Sequence, residues 1–219
     1  MGKTILTPNQ SHFLELAAES SKITNQFQLV GGTALAEFYL HHRLSEDIDL
    51  FSEDEIELLQ IDPFMREAGK KLHATLHMQK KIAIYTYQLS FTNEPTLKVD
   101  FATNPFRELE RGKMFGKLRI ASLWDILINK FYTILNRSVA RDFVDFYFAF
   151  KEVDTDLPTL IKATEEKYEM NFHEVNMATR LLKVKDLADF PSMLVPFDRK
   201  DMEKFFLGLA KSLEDKIFE

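Results

Sequence analysis

The stretch LSEDIDLF, residues 44–51, alternates acidic and apolar side chains, and it limits the fold more tightly than any other segment. In an extended chain successive side chains point to opposite faces. Ile48 and Leu50 then share one face, turned to a core, and Asp47 and Asp49 share the other. Two carboxylates that close repel each other and destabilise the strand. Either a divalent cation offsets that repulsion, or the strand is a solvated edge that carries two charges. These eight residues leave both readings open.

With 219 residues, 45% hydrophobic and 28% charged, the chain can bury a sizeable core in one domain or two small ones. Its 20 phenylalanines argue for large aromatic cores, not disorder. A net charge of -6 argues against a chain-wide nucleic-acid coat, although a local basic patch remains open. The absence of cysteine excludes disulfides and thiolate zinc sites and accords with a cytoplasmic protein. MGKTILTPNQ has no apolar core of a signal peptide, and Leu6 stands where myristoylation needs Ser or Thr. No run reaches the length of a membrane span, so no membrane association is expected.

The periodicity divides the chain. Thr7 and Pro8 open a helix with Phe13, Leu16 and Ala17 on its apolar face. FQLVGG reads as a strand running into glycines, TALAEFYLH as a helix and EDIDLF as a strand. Residues 53–71 read as helix with an interruption at Pro63. HATLHMQ, IAIYTYQLSF and LKVDFA alternate as strands, and ERGKMFGKLRIAS reads as a loop with a short strand. From Ser122 onward the segments have helical period. The expected class is α+β: a mixed sheet flanked by helices over residues 1–121, then a helical part, 122–219, docked on it.

Gly31 and Gly32 end a strand and Thr33 opens a helix. Glycines there let a ligand approach the backbone, and free N–H groups at a helix start favour an anion. A tight strand-to-helix turn explains them equally well. Taken with the acids on the next strand, they would bring a phosphate cradle and a carboxylate pair to one sheet edge, a combination suited to triphosphate chemistry. Arg43 and Ser45 lie just upstream, placed for phosphate oxygens; alternatively, Arg43 pairs with Glu46. Asp100 in LKVDFA is either a strand-end residue or a third metal ligand that helps deprotonate an attacking hydroxyl. Lys130, on an apolar helix, either extends to solvent or reaches a phosphate. Asp142 and Asp145 share a helix face, as catalytic groups or in an ion-pair lattice with Arg137 and Arg141. In RELERGKMFGKLR, Arg107, Arg111, Lys113, Lys117 and Arg119 outnumber Glu108 and Glu110, forming a solvated loop or an RNA contact.

LVGGTALAEFYLHHRLSEDIDLF resembles the signature of the AbiEii/AbiGii-type nucleotidyltransferase toxins, members of the DNA polymerase β-like nucleotidyltransferase superfamily. The GGTAL turn, the HR-x-S step and the DIDLF strand match in order and spacing. A lysine-bearing helix and an R-x-x-x-R-D-x-x-D segment follow, matched by Lys130, Arg137, Arg141, Asp142 and Asp145. The resemblance implies a nucleotidyltransferase fold and transfer of NMP from an NTP to an acceptor hydroxyl. It implies two magnesium ions on Asp47, Asp49 and Asp100, with phosphates at Gly31, Gly32, Thr33, Arg43 and Ser45. Lys130 would neutralise the leaving group, while Arg141 and Asp145 would orient their helix beside Asp142. A toxin of a toxin–antitoxin or phage-defence pair is implied, with a cognate antitoxin and the tRNA 3′ end, another RNA or a protein as acceptor. The alternatives are a non-catalytic nucleotide- or antitoxin-binding module of the same fold, and a metal-dependent nuclease.

Overall fold

The computed structural model describes residues 4–214. The chain forms two compact units, Met1–Ser122 and Leu123–Glu219. In the first, α1 (Pro8–Glu19) starts on a reciprocal cap: the Thr7 hydroxyl accepts from the Gln10 amide, and the Gln10 side chain accepts from the Thr7 N–H. The short α2 (Ser21–Thr24) leads to β1 (Gln28–Val30). Next, α3 (Gly31–Leu35) runs on as a π-helical turn over Ala36–Leu40 and stops at His41, whose φ is 50°. Strand β2 (Asp47–Ser52) and helix α4 (Leu58–Lys71) follow.

Pro63 does not interrupt α4, contrary to the sequence expectation, and the helix begins at Leu58 instead of Glu53. A proline here removes one donor, the N–H that would bond to the Leu59 carbonyl. Leu59 is 85% exposed, so water can take that carbonyl and the helix continues.

Strands β3 (Thr75–Lys81), β4 (Ile84–Ser90) and β5 (Leu97–Thr103) form an antiparallel meander. The basic segment supplies β6 (Met114–Phe115) and β7 (Leu118–Ile120), a tight hairpin turned by Gly116 at φ 56°. The seven strands among the described residues join one mixed sheet in the order β3-β4-β5-β2-β1-β7-β6. β2 runs parallel to β5 and antiparallel to β1, which in turn runs parallel to β7. Ile48 and Leu50, with Val99 and Phe101 of β5, are fully buried. Phe101 meets Phe27 edge-on at 5.1 Å, and Phe13 of α1 meets Phe64 of α4 at 5.8 Å.

The second unit is helical: α5 (Leu123–Asn136), α6 (Ala140–Glu152), α7 (Leu157–Tyr168), α8 (Glu174–Leu182) and α9 (Arg199–Glu214). Its core is aromatic, with Phe143 and Phe206 at 4.9 Å and Phe131 and Phe146 at 5.7 Å. Among the described residues no helix is long and apolar enough to cross a membrane.

Candidate active site

Parallel pairing of β2 with β5 sets Asp49 opposite Asp100 and Asp47 opposite Lys98. Residues paired across strands share a face, so all four stand together, and Thr86 of β4, opposite Asp100, joins them. The alternate residues are the buried core, which is why period two delivers the acids to the other side. Thr86 Oγ1 donates to Asp100 Oδ1 at 2.6 Å. Lys98 Nζ donates to Asp100 Oδ2 at 2.5 Å and lies 3.5 Å from Asp47 Oδ2. Burial works against the Lys98 charge, but the Asp100 hydrogen bond and the Asp47, Asp100 and Asp49 carboxylates outweigh it and hold the ammonium above its ordinary range.

The sequence reading missed Lys98. The signal was present: in LKVD it precedes Asp100 by two positions, and strand period alone puts it on the acidic face.

The glycine turn is fitted around these groups. Gly31 has φ 73°, and a Cβ on it would collide with the Asp49 carboxylate. A Cβ on Gly32 would run into the Arg43 guanidinium and stand 3.1 Å from Ser45 Oγ. Thr33 Oγ1 donates to the Asp47 carbonyl, tying the turn to the start of β2. Arg43 is only 4% exposed, and its Nη1 donates to the Leu44 carbonyl at 2.7 Å. From α1, Gln10 Nε2 donates to the Ser45 and Glu46 carbonyls at 2.8 and 3.1 Å, anchoring the loop that carries Ser45. The turn residues, Arg43, Ser45 and the three acids thus form one cluster within the first unit.

Three carboxylates on two neighbouring strands make a hard-oxygen donor set, which suits magnesium. Among the described residues no group of three or more histidine, aspartate or glutamate side chains is arranged to hold a metal ion. The oxygen chemistry of these acids suits a divalent cation, but their side chains are not gathered into a coordination set, and the Lys98 ammonium bridges Asp100 and Asp47 instead.

In the second unit, Lys130 Nζ lies 2.8 Å from Asp142 Oδ1 and 2.7 Å from Asp145 Oδ2. Arg137 Nε and Nη2 both reach Asp142 Oδ2 at 2.8 Å. The two aspartates are fully buried and Lys130 is 8% exposed, whereas Arg141 is exposed at the start of α6. Burial pulls the Lys130 ammonium down, but Asp145 and Asp142 more than offset it and keep it above its ordinary range. Nearby, Lys167 Nζ meets Asp125 Oδ1 at 2.5 Å, both nearly fully buried, an ion pair the sequence did not suggest. Helical spacing could place neither partner, because they belong to different helices, α5 and α7.

The model of the family described as nucleotidyl transferase AbiEii toxin, type IV toxin–antitoxin system, matches residues 13–218. No curated protein matches the sequence. Among solved structures, the fold is similar to that of MenT4, a nucleotidyltransferase toxin from Mycobacterium tuberculosis H37Rv, with TM-score 0.60 and 16% identity. That match covers 94% of this chain and 82% of MenT4. JHP933 from Helicobacter pylori is similar at TM-score 0.57 and 19% identity, over 95% of this chain and 91% of JHP933.

Proposed function

Because the chain belongs to the AbiEii nucleotidyltransferase toxin family of type IV toxin–antitoxin systems, we propose that the acidic face of β2 and β5 is its centre for metal-dependent nucleotidyl transfer. The observation that carries this reading is the shared face of Asp47, Asp49 and Asp100 directly beside the Gly31–Gly32 turn. An acceptor hydroxyl oxygen bonds to the α-phosphorus of an NTP, the α–β anhydride bond breaks, and pyrophosphate leaves. Asp47, Asp49 and Asp100 would hold magnesium, two ions in the full assembly, which lower the charge on the phosphates and on the attacking oxygen when bound. Asp100 takes the hydroxyl proton, and Thr86 keeps its carboxylate aimed.

The backbone at Gly31–Thr33 receives phosphate oxygens, and Arg43 and Ser45 grip the outer phosphates. Within the second unit, Asp142 and Asp145 keep Lys130 protonated. Arg141 and Asp145 orient α6 beside Asp142. The acceptor is RNA, with the tRNA 3′ end first among candidates, and a cognate antitoxin restrains the reaction in the cytoplasm. The exposed Lys117 at the β6–β7 turn, with Arg119, which also pairs with Glu108, gives this acidic protein a local basic surface for RNA phosphates.

Calorimetry with a non-hydrolysable NTP analogue tests the placement of the phosphates. Binding should require magnesium, and Arg43→Ala should weaken it by about tenfold or more, the loss expected for one charged hydrogen bond. Equal affinity in wild type and Arg43→Ala, or binding indifferent to magnesium, would place the triphosphate elsewhere.

A further inference from the structure

Lys98 places a positive charge on the acidic face, against Asp100 and Asp47. Its ammonium is hydrogen-bonded to Asp100 and within ion-pair distance of Asp47. It is a β5 residue, so its backbone is fixed by the ladder to β2 and only the side chain can swing. The side chain is 36% exposed, compared with 25% for Asp47 and 17% for Asp100, so a path to solvent is open to the lysine. A long flexible stem with a point charge suits that exchange better than a planar guanidinium would.

We propose that Lys98 is a positioning residue, a built-in counter-cation that gathers Asp47 and Asp100 in the metal-free protein and gives them up when a divalent cation binds. The inference rests on the assignment of these acids as metal ligands. Without the ammonium, the carboxylates would repel and splay. With it, they are held together at a cost in metal affinity, because the entering cation must displace an existing ion pair. Lys98 then stands free at the edge of the site, its charge available to a triphosphate oxygen.

The test uses the full-length protein and Mn2+ alone. Titration calorimetry should show Lys98→Met binding Mn2+ about tenfold more tightly than wild type, a modest factor because the site is partly solvated. Lys98→Arg, which keeps the charge but yields it less readily, should bind Mn2+ no more tightly than wild type. A lysine that merely supports the fold would give the opposite sign, with weaker binding on its removal. In wild type, an amine-acetylating reagent followed by peptide mass spectrometry should label Lys98 faster once Mn2+ saturates the site. That measurement needs no variant to fold. If wild type binds Mn2+ but Lys98→Met binds no more tightly, or acetylation is unchanged, the counter-cation role is overturned and the metal site stands. If wild type binds no Mn2+, both ideas fall together.

Discussion

Asp49→Asn should abolish nucleotidyl transfer, by on the order of 10³-fold or more, while leaving the protein folded. Asp49 lies centrally on the acidic face, opposite Asp100 and against Gly31. Asparagine preserves the shape that the glycine turn accommodates and removes only the charge. A metal ligand that stabilises the charge developing at phosphorus is worth several kcal/mol in the transition state, which is the origin of the factor. Stability should barely move, because a carboxylate beside two others on a partly solvated face adds little to folding, within about 1 kcal/mol. Thermal melting and a transfer assay on one preparation check both halves. Substantial residual transfer in a folded Asp49→Asn protein would remove these acids from the reaction.

Lys130→Met should be the most destabilising single change considered. The ammonium compensates two fully buried carboxylates, Asp142 and Asp145, at 2.8 and 2.7 Å. Deleting the cation leaves buried charge without its principal partner, a loss of about 3–5 kcal/mol. Arg137 still reaches Asp142, but its side chain is 53% exposed, so it cannot replace the buried lysine. For the same reason Arg137→Met should cost under about 1 kcal/mol. Denaturant titration of the two variants gives the comparison. In the double variant Lys130→Met/Asp145→Asn, much of the stability should return, since neutralising one aspartate leaves Asp142 with Arg137. Similar stabilities for Lys130→Met and wild type would contradict the buried ion-pair account.

The legible and illegible parts of this molecule follow from the range of the interactions involved. Alternation in EDIDLF is local, so the division between Ile48 and Leu50 on the core side and Asp47 and Asp49 on the other could be read directly. The glycine turn and a mixed sheet were readable with the help of family resemblance, but only six strands were, because Met114–Phe115 is too short to alternate. Pro63 misled because the rule against proline in helices assumes a carbonyl cut off from other partners, and at the exposed Leu59 water can reach it. The π-helical turn at Ala36–Leu40 has no sequence period distinct from an α-helix over so few residues. Lys98 was overlooked for a different reason: a lysine in a strand usually signals solvent, so its shared face with Asp100 was passed over, and the β2–β5 register adds Asp47 as its cross-strand neighbour. Asp125 and Lys167 lie further out of reach, since their pairing depends on how α5 meets α7.

The central claim is that this face moves a nucleotidyl group and not a phosphoryl group or nothing at all. Incubating the protein with magnesium, total RNA and NTPs labelled separately at the α- and γ-phosphorus tests it most directly. Attack at the α-phosphorus predicts that the α label enters RNA and resists removal by phosphatase, while the γ label appears only in pyrophosphate. Transfer of the γ label to the acceptor, or retention of both labels in intact NTP with every RNA fraction, would contradict the account.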